Sequence, residues 1–256
     1  MDTLAQLFSL RGTQAVITGG SSGIGLAIAE ALAAAGAAVV LVATRTAALE
    51  QAASRIRGAG STAQWLACDL TDRAALRKMA DAVVERNGHP DILVNAAGVN
   101  PRKPADELSD DDWDATLALN LTAPFLLAQA FASGMARKGW GRIINIASLQ
   151  SVRAFADSVP YGASKGGIMQ LTRALAEAWS RHGVTCNAIA PGFFPTRLTA
   201  PVFADPARAQ AAAARTMIGR NGKLQDLHGT AIYLASRASD YVTGQTIFVD
   251  GGFSAA

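Results

Sequence analysis

The strongest constraint in this chain lies near its beginning. A short apolar run, Gln14-Ala-Val-Ile-Thr18, is followed at once by Gly-Gly-Ser-Ser-Gly-Ile-Gly over 19–25. An alanine-rich stretch then runs from about 24 to 35, stops at Gly36, and gives way to Ala37-Ala-Val-Val-Leu-Val-Ala43. Strand, glycine turn, helix and wholly apolar strand make a βαβ unit, and such a unit buries both faces of a parallel sheet between layers of helices. The glycines at 19, 23 and 25 are spaced G-x-x-x-G-x-G rather than the commoner G-x-G-x-x-G. Small residues at Gly19, Ser21, Ser22, Gly23 and Gly25, with Ile24 between the last two, let the backbone approach a pyrophosphate, and the helix start offers it unpaired N–H groups. A tight turn with no ligand is the competing reading, and it accounts for less of so small-sided a sequence.

The alternation continues along the chain. Strands are expected at 63–67, closing on Cys68-Asp69-Leu70, and at 91–94, leading into Asn95-Ala96-Ala97-Gly98. Two more are expected at 142–147 and 184–190, the latter ending at Pro191-Gly192, and a seventh at 246–249. Between them, helical patterns cover 72–87, a long stretch 111–137, 205–217 and 225–236. Asn120 stands amid apolar residues of the long stretch, where it reads most simply as a satisfied core amide and alternatively marks a kink or a bound water. This order predicts an α/β fold: a single-domain doubly wound, Rossmann-like seven-stranded parallel sheet with helices on both faces, spanning 1–256, with a flexible substrate-loop region about 193–222. Ligands of such sheets lie beyond the C-terminal strand ends. The glycine turn, Arg45, Asp69, Asn95–Gly98, Ser148 and Pro191–Thr196 all fall there.

Half of the 256 residues are hydrophobic and 17% are charged, so a sizeable core is assured. The formal charge of +3 comes without a run of Lys and Arg, which argues against a nucleic-acid partner and for a small anionic molecule. Two cysteines and three histidines are scattered, so neither a metal site nor a disulfide is expected. The start, Met-Asp-Thr-Leu-Ala-Gln, has no secretory pattern, and the apolar stretch 26–43 is broken by Glu30 and Gly36. The chain is therefore expected to be cytoplasmic, with no membrane partner.

Two further features bear on chemistry. After the second strand comes Thr44-Arg45, with no carboxylate before Glu50. An acidic residue there would bind a ribose 2′-hydroxyl, whereas a guanidinium matches a 2′-phosphate, so NADP(H) is favoured and NAD(H) is kept as the alternative. Arg45 as a plain solvated helix-start charge also remains open. Farther on, Ser158-Val-Pro-Tyr-Gly-Ala-Ser-Lys165 places Tyr161 and Lys165 on one helical face, with Pro160 suited to the first turn. A nearby ammonium should lower the phenol's pKa and make it a proton-transfer group. Ser148 ends an apolar run and can donate to a carbonyl oxygen. Taken alone, the pair is weak evidence, and a core tyrosine beside a solvated lysine is the commoner meaning of such a spacing.

Together these motifs resemble the short-chain dehydrogenase/reductase family over essentially the full length. Thr18-Gly19-Gly20-Ser21-Ser22-Gly23-Ile24-Gly25 is similar to its TGxxxGxG turn, and Asn95-Ala96-Ala97-Gly98 to its NNAG motif with the second Asn replaced by Ala. Asn120, Ser148, Tyr161 and Lys165 match its catalytic tetrad in identity and order. The resemblance implies that Tyr161 exchanges a proton with the substrate oxygen, that Lys165 lowers its pKa and holds the nicotinamide ribose, that Ser148 polarises the carbonyl, and that Asn120 holds a water. It implies that Asp69 and Leu70 meet the adenine, that Asn95, Ala96 and Gly98 flank the cofactor, and that Pro191, Gly192 and Thr196 meet the nicotinamide. The opening Leu-Phe-Ser-Leu-Arg-Gly, the Gly98-Val-Asn-Pro-Arg102 loop, and Phe193-Phe-Pro-Thr196 through Pro201-Val-Phe-Ala-Asp-Pro206 resemble the family's gluconate 5-dehydrogenase and sugar-acid branch. Substrate contacts are expected from Arg102, Gln150, Arg153 and Arg197, besides Ser148 and Tyr161, with a sugar acid or polyol as substrate. A 3-oxoacyl-thioester reductase and a non-catalytic nucleotide sensor are the alternatives. Family analogy implies a homotetramer.

Overall fold

The computed structural model describes residues 3–255. After a short helix, α1 (Thr3–Phe8), the chain runs β1 (Gln14–Thr18), α2 (Gly23–Ala34), β2 (Ala38–Ala43), α3 (Thr46–Gly58), β3 (Ala63–Ala67), α4 (Arg73–Asn87) and β4 (Ile92–Asn95). It continues with α5 (Asp110–Leu117), a π-helical turn (Ala118–Thr122), α6 (Ala123–Arg137), β5 (Gly141–Ile146), α7 (Val159–Trp179) and β6 (Val184–Pro191). The end comprises α8 (Ala200–Phe203), α9 (Pro206–Ala214), α10 (His228–Ala235) and β7 (Thr246–Val249). The seven strands pair in parallel in the order β3-β2-β1-β4-β5-β6-β7. The order reverses between β1 and β4, which opens a crevice at the C-terminal strand ends.

Strand alternation divides the core in two. Ala15 and Ile17 of β1 face one apolar layer with Ile28 and Leu32 of α2 and Leu234 of α10, while Val16 faces the other with Leu76 of α4, Phe131 of α6 and Leu175 of α7. Both faces of the sheet are thus covered, as continuous apolar strands require.

Two helices differ from expectation. The stretch 111–137 is not one helix: the π turn at 118–122 divides it, because the widened turn brings Asn120 inward. Its carboxamide accepts from the Val99 N–H (2.9 Å) and donates to the Val99 carbonyl (2.9 Å) and to Ser164 Oγ (3.1 Å). This stretch is the one described helical segment long and apolar enough to cross a membrane, and half of its apolar window is buried in the core. The helix expected over 205–217 ends at Ala214, and Met217 and Ile218 instead pack on Gly252 and Gly251.

Candidate functional site

The crevice at the switch point opens into a cleft of about 920 Å³. Its floor is the turn between β1 and α2. Gly19 and Gly23 have φ of 66° and 55°, values that glycine adopts without strain. A Cβ on Gly19 would stand 2.9 Å from the Ala96 carbonyl oxygen, and one on Gly25 only 2.4 Å from that of Gly19, so this turn excludes side chains by contact. Thr18 locks it to the loop after β4, its hydroxyl accepting from the N–H groups of Ala96 (3.0 Å) and Ala97 (3.1 Å). Ser22 caps α2 with backbone only, no side-chain hydrogen bond being made. The first N–H groups of the helix are therefore available to an anion. Ser21, Ser22 and Ile24 complete this wall.

The cleft runs from Thr44 and Arg45 past Asp69 and Leu70 to Ala96 and Gly98. Asp69 accepts from the Thr71 N–H (2.9 Å) and hydroxyl (2.7 Å), and these bonds hold its carboxyl below the usual range. Arg45 is exposed at the start of α3. These residues fit a dinucleotide: a glycine cradle for the pyrophosphate, an ionised Asp69 at one side, and a guanidinium where a 2′-phosphate would lie.

At the other end stand Ser148, Tyr161 and Lys165. Pro160 lies in the first turn of α7, so Tyr161 and Lys165 share a face one turn apart. The Tyr161 phenol hydrogen-bonds Ser148, and the charge of Arg102 acts on it. Lys165 Nζ lies 5.7 Å from the Tyr161 ring centroid and donates to the Ile146 carbonyl (2.5 Å). The expected depression of the tyrosine pKa by Lys165 is not found. Burial raises it, opposed by the Ser148 hydrogen bond and then by Arg102. Burial also lowers Lys165, to about 8.

Gln150, Arg102, Arg197, Pro191 and Gly192 also line the cleft, and Thr196 lies against Gly23 of the glycine turn. Arg102 has φ 48° and Asp157 φ 57°, the two non-glycine positive values among the described residues, and both line the cleft. The Arg102 Nε and Asn100 Oδ1 are buried without a hydrogen-bond partner, while Asn100 Nδ2 donates to Ser158 Oγ (3.2 Å).

Three expected residues lie off the cleft wall. Arg153 turns away and donates to the Ser254 carbonyl (2.8 Å). Asn95 sits behind the wall, where its amide donates to Asn145 Oδ1 (2.8 Å), and Asn145 in turn to Thr172 (2.9 Å). Asn120 lies beneath Gly98, whose missing Cβ would stand 3.2 Å from Asn120 Oδ1 and 3.9 Å from Lys165 Nζ. Both of its amide hydrogens are bonded, to the Val99 carbonyl and Ser164. Asn100, Phe155, Asp157 and Val202 line the cleft without having been singled out. Asn100 could have been found from its place beside Arg102, but nothing local marks Phe155.

The family model described as enoyl-(acyl carrier protein) reductase matches residues 19–254. The gluconate 5-dehydrogenase of Gluconobacter oxydans is 41% identical over 248 residues, 97% of each chain. A gluconate 5-dehydrogenase from Burkholderia cenocepacia, solved in complex with NADP and tartrate, superposes with a TM-score of 0.95 at 42% identity, covering 99% of each chain. A 3-oxoacyl-(acyl-carrier-protein) reductase from Agrobacterium tumefaciens with NADP bound gives a TM-score of 0.92 at 33% identity, covering 98% of this chain and 97% of that one. Likeness of this extent, on a sheet wound in this order around this cleft, makes the chain a member of the short-chain dehydrogenase/reductase family, and an oxidoreductase.

Proposed function

We propose that this protein interconverts a secondary alcohol and a ketone on a sugar acid or polyol, using NADP(H). The observation that carries the reading is the meeting of Ser148, Tyr161 and Lys165 with Arg102 at one end of a dinucleotide-sized cleft. When bound, the nicotinamide supplies the hydride acceptor or donor. In reduction, Tyr161 gives its phenolic proton to the substrate oxygen as the carbonyl carbon gains hydride. Ser148 donates to that oxygen and steadies its developing charge. Ser148 and the charge of Arg102 favour the phenolate that remains, with the Lys165 ammonium 5.7 Å from the ring centroid, and in oxidation the same phenolate takes the hydroxyl proton back. Ser21 to Gly25 hold the pyrophosphate, Arg45 the 2′-phosphate, and Asp69 and Leu70 the adenine side. Arg102, with an unpartnered Nε, is the residue suited to a substrate carboxylate.

The relatives favour a sugar acid over an acyl thioester, since the gluconate 5-dehydrogenases are 41% and 42% identical and the 3-oxoacyl reductase 33%. The intact Ser148, Tyr161 and Lys165 leave a turnover-free sensor without support. We further propose a cytoplasmic homotetramer of single-domain subunits, with the 193–222 segment moving over the substrate. Apolar side chains left exposed on α5, α6 and α7 support the assembly: Trp113, Phe125 and Val159 are 41%, 43% and 51% exposed.

The test is Tyr161→Phe together with a substrate panel. The variant should lose turnover by about a thousandfold, in line with a lost general acid, while NADPH affinity stays within about twofold. The parent should reduce 5-ketogluconate with NADPH faster than with NADH, and faster than acetoacetyl thioester. A Tyr161→Phe enzyme that reduces ketones at the parent rate would end this assignment.

A further inference from the structure

Beyond β7 the chain forms no further strand or helix among the described residues, yet it is held on every side. Asp250 folds the segment, its two carboxylate oxygens accepting from the N–H groups of Gly252 (3.0 Å) and Ser254 (2.8 Å). Phe253 is only 2% exposed. Its ring stacks on Phe155 with centroids 6.2 Å apart and tilts against Phe193 at 5.7 Å, while Phe155 and Phe193 meet edge to face at 6.2 Å. The Arg215 guanidinium lies 4.3 Å from the Phe253 centroid, and Arg153 bonds the carbonyl of the next residue, Ser254.

Three separate segments therefore converge on one ring: the loop that follows Ser148, the connection between β6 and α8, and the stretch after α9. Phe155 and Phe193 line the cleft, whereas Phe253 does not. It stands behind them as a support. Mutual aromatic contact of this kind fixes ring orientation as well as filling space, and a packed interior repositions its neighbours when a ring is removed.

We propose that Phe253 is a positioning residue for substrate specificity: it sets the breadth of the cleft's substrate end by holding Phe155 and Phe193. The inference rests on the reading of this end as the substrate end, and is indifferent to which ketone occupies it. Arg45 and Asp69 share none of these contacts, and the glycine turn meets the Phe193 segment only through Thr196, which lies against Gly23, so cofactor binding should be insensitive to Phe253.

The experiment compares full-length Phe253→Ala and Phe253→Leu with the parent, using whichever ketone the parent reduces best. In Phe253→Ala, KM should rise about tenfold with kcat within about twofold, the pattern of lost positioning rather than lost chemistry. NADPH affinity, measured by quenching of protein fluorescence, should not change, and a ketone with a bulkier chain should gain relative to the parent's best substrate. Phe253→Leu, which keeps most of the volume and loses the flat ring, should fall between the two; it carries the test if the alanine variant does not fold. Unchanged KM in either folded variant overturns the proposal, as does a fall in kcat alone that tracks the loss of folded protein. Failure of 5-ketogluconate as a substrate would count against the sugar-acid reading and leave this comparison intact.

Discussion

Lys165 carries a charge into a place that resists it. It is 4% exposed, and burial lowers its pKa from 10.5 to about 8. Between those two values the unfolded chain holds a proton that the folded chain has released, so stability rises with pH across the window, and below about 8 the full penalty of the buried charge is present. Lys165→Met removes the titration along with the catalytic lysine. Urea unfolding should therefore show the parent gaining about 2 kcal/mol between pH 8 and 9.5 that the variant does not gain. Parallel profiles for the two proteins would show that the ammonium reaches solvent in the folded state. The Tyr161–Lys165 pair itself was legible from its spacing and from Pro160. The direction of the tyrosine's shift was not, because burial sets it, outweighing the Ser148 hydrogen bond and the charge of Arg102, and burial is a property of the folded chain.

At the scale of elements, the turn between β1 and α2 was the most legible part of the chain, since close backbone approach leaves glycine little substitute. Gly25→Ala puts a Cβ 2.4 Å from the Gly19 carbonyl oxygen, so the turn must open, and NADPH affinity should fall by more than about tenfold, the scale of one lost anchoring interaction. Gly58→Ala, at the end of α3 with nothing within 4 Å of the new methyl, should keep full affinity and gain about 0.5 kcal/mol of stability from helix propensity. Titration of both variants with NADPH separates a specific cradle from general sensitivity to glycine loss; equal affinities would show that the turn does not hold the pyrophosphate. The π turn in the 110–137 stretch was only hinted at, by Asn120 as a mid-helix polar group that can mark a kink. It adds a residue to a turn without altering the apolar composition, and its cause is the set of contacts from Asn120 to Val99 and Ser164, whose partners lie 21 and 44 residues away.

For the whole molecule, parallel strands alternating with helices led directly to the sheet and to the crevice at its reversal, because right-handed crossovers leave few other windings. Contacts made by chain ends were beyond that logic. Arg153 was expected in the cleft, and its partner is Ser254, 101 residues on. The same limit applies to faces completed by other copies of the chain, where exposure becomes informative only in three dimensions. Val152 and Val159, 54% and 51% exposed, flank the loop and helix that carry Ser148 and Tyr161, and Phe125 on α6 is 43% exposed. If subunits meet on these helices, assembly and activity are linked, since the loop between Ser148 and Tyr161 is then braced from outside. Sedimentation of the parent should give a mass several times that of one chain. Phe125→Lys, which places a charge on the proposed interface, should shift it towards smaller species, at a loss of a few kcal/mol of association for one buried charge without a partner. On dilution the variant should lose kcat/KM at higher concentrations than the parent does, with NADPH binding retained. A parent that sediments as a monomer at full activity would refute this link and leave the cleft chemistry to be explained by the single chain.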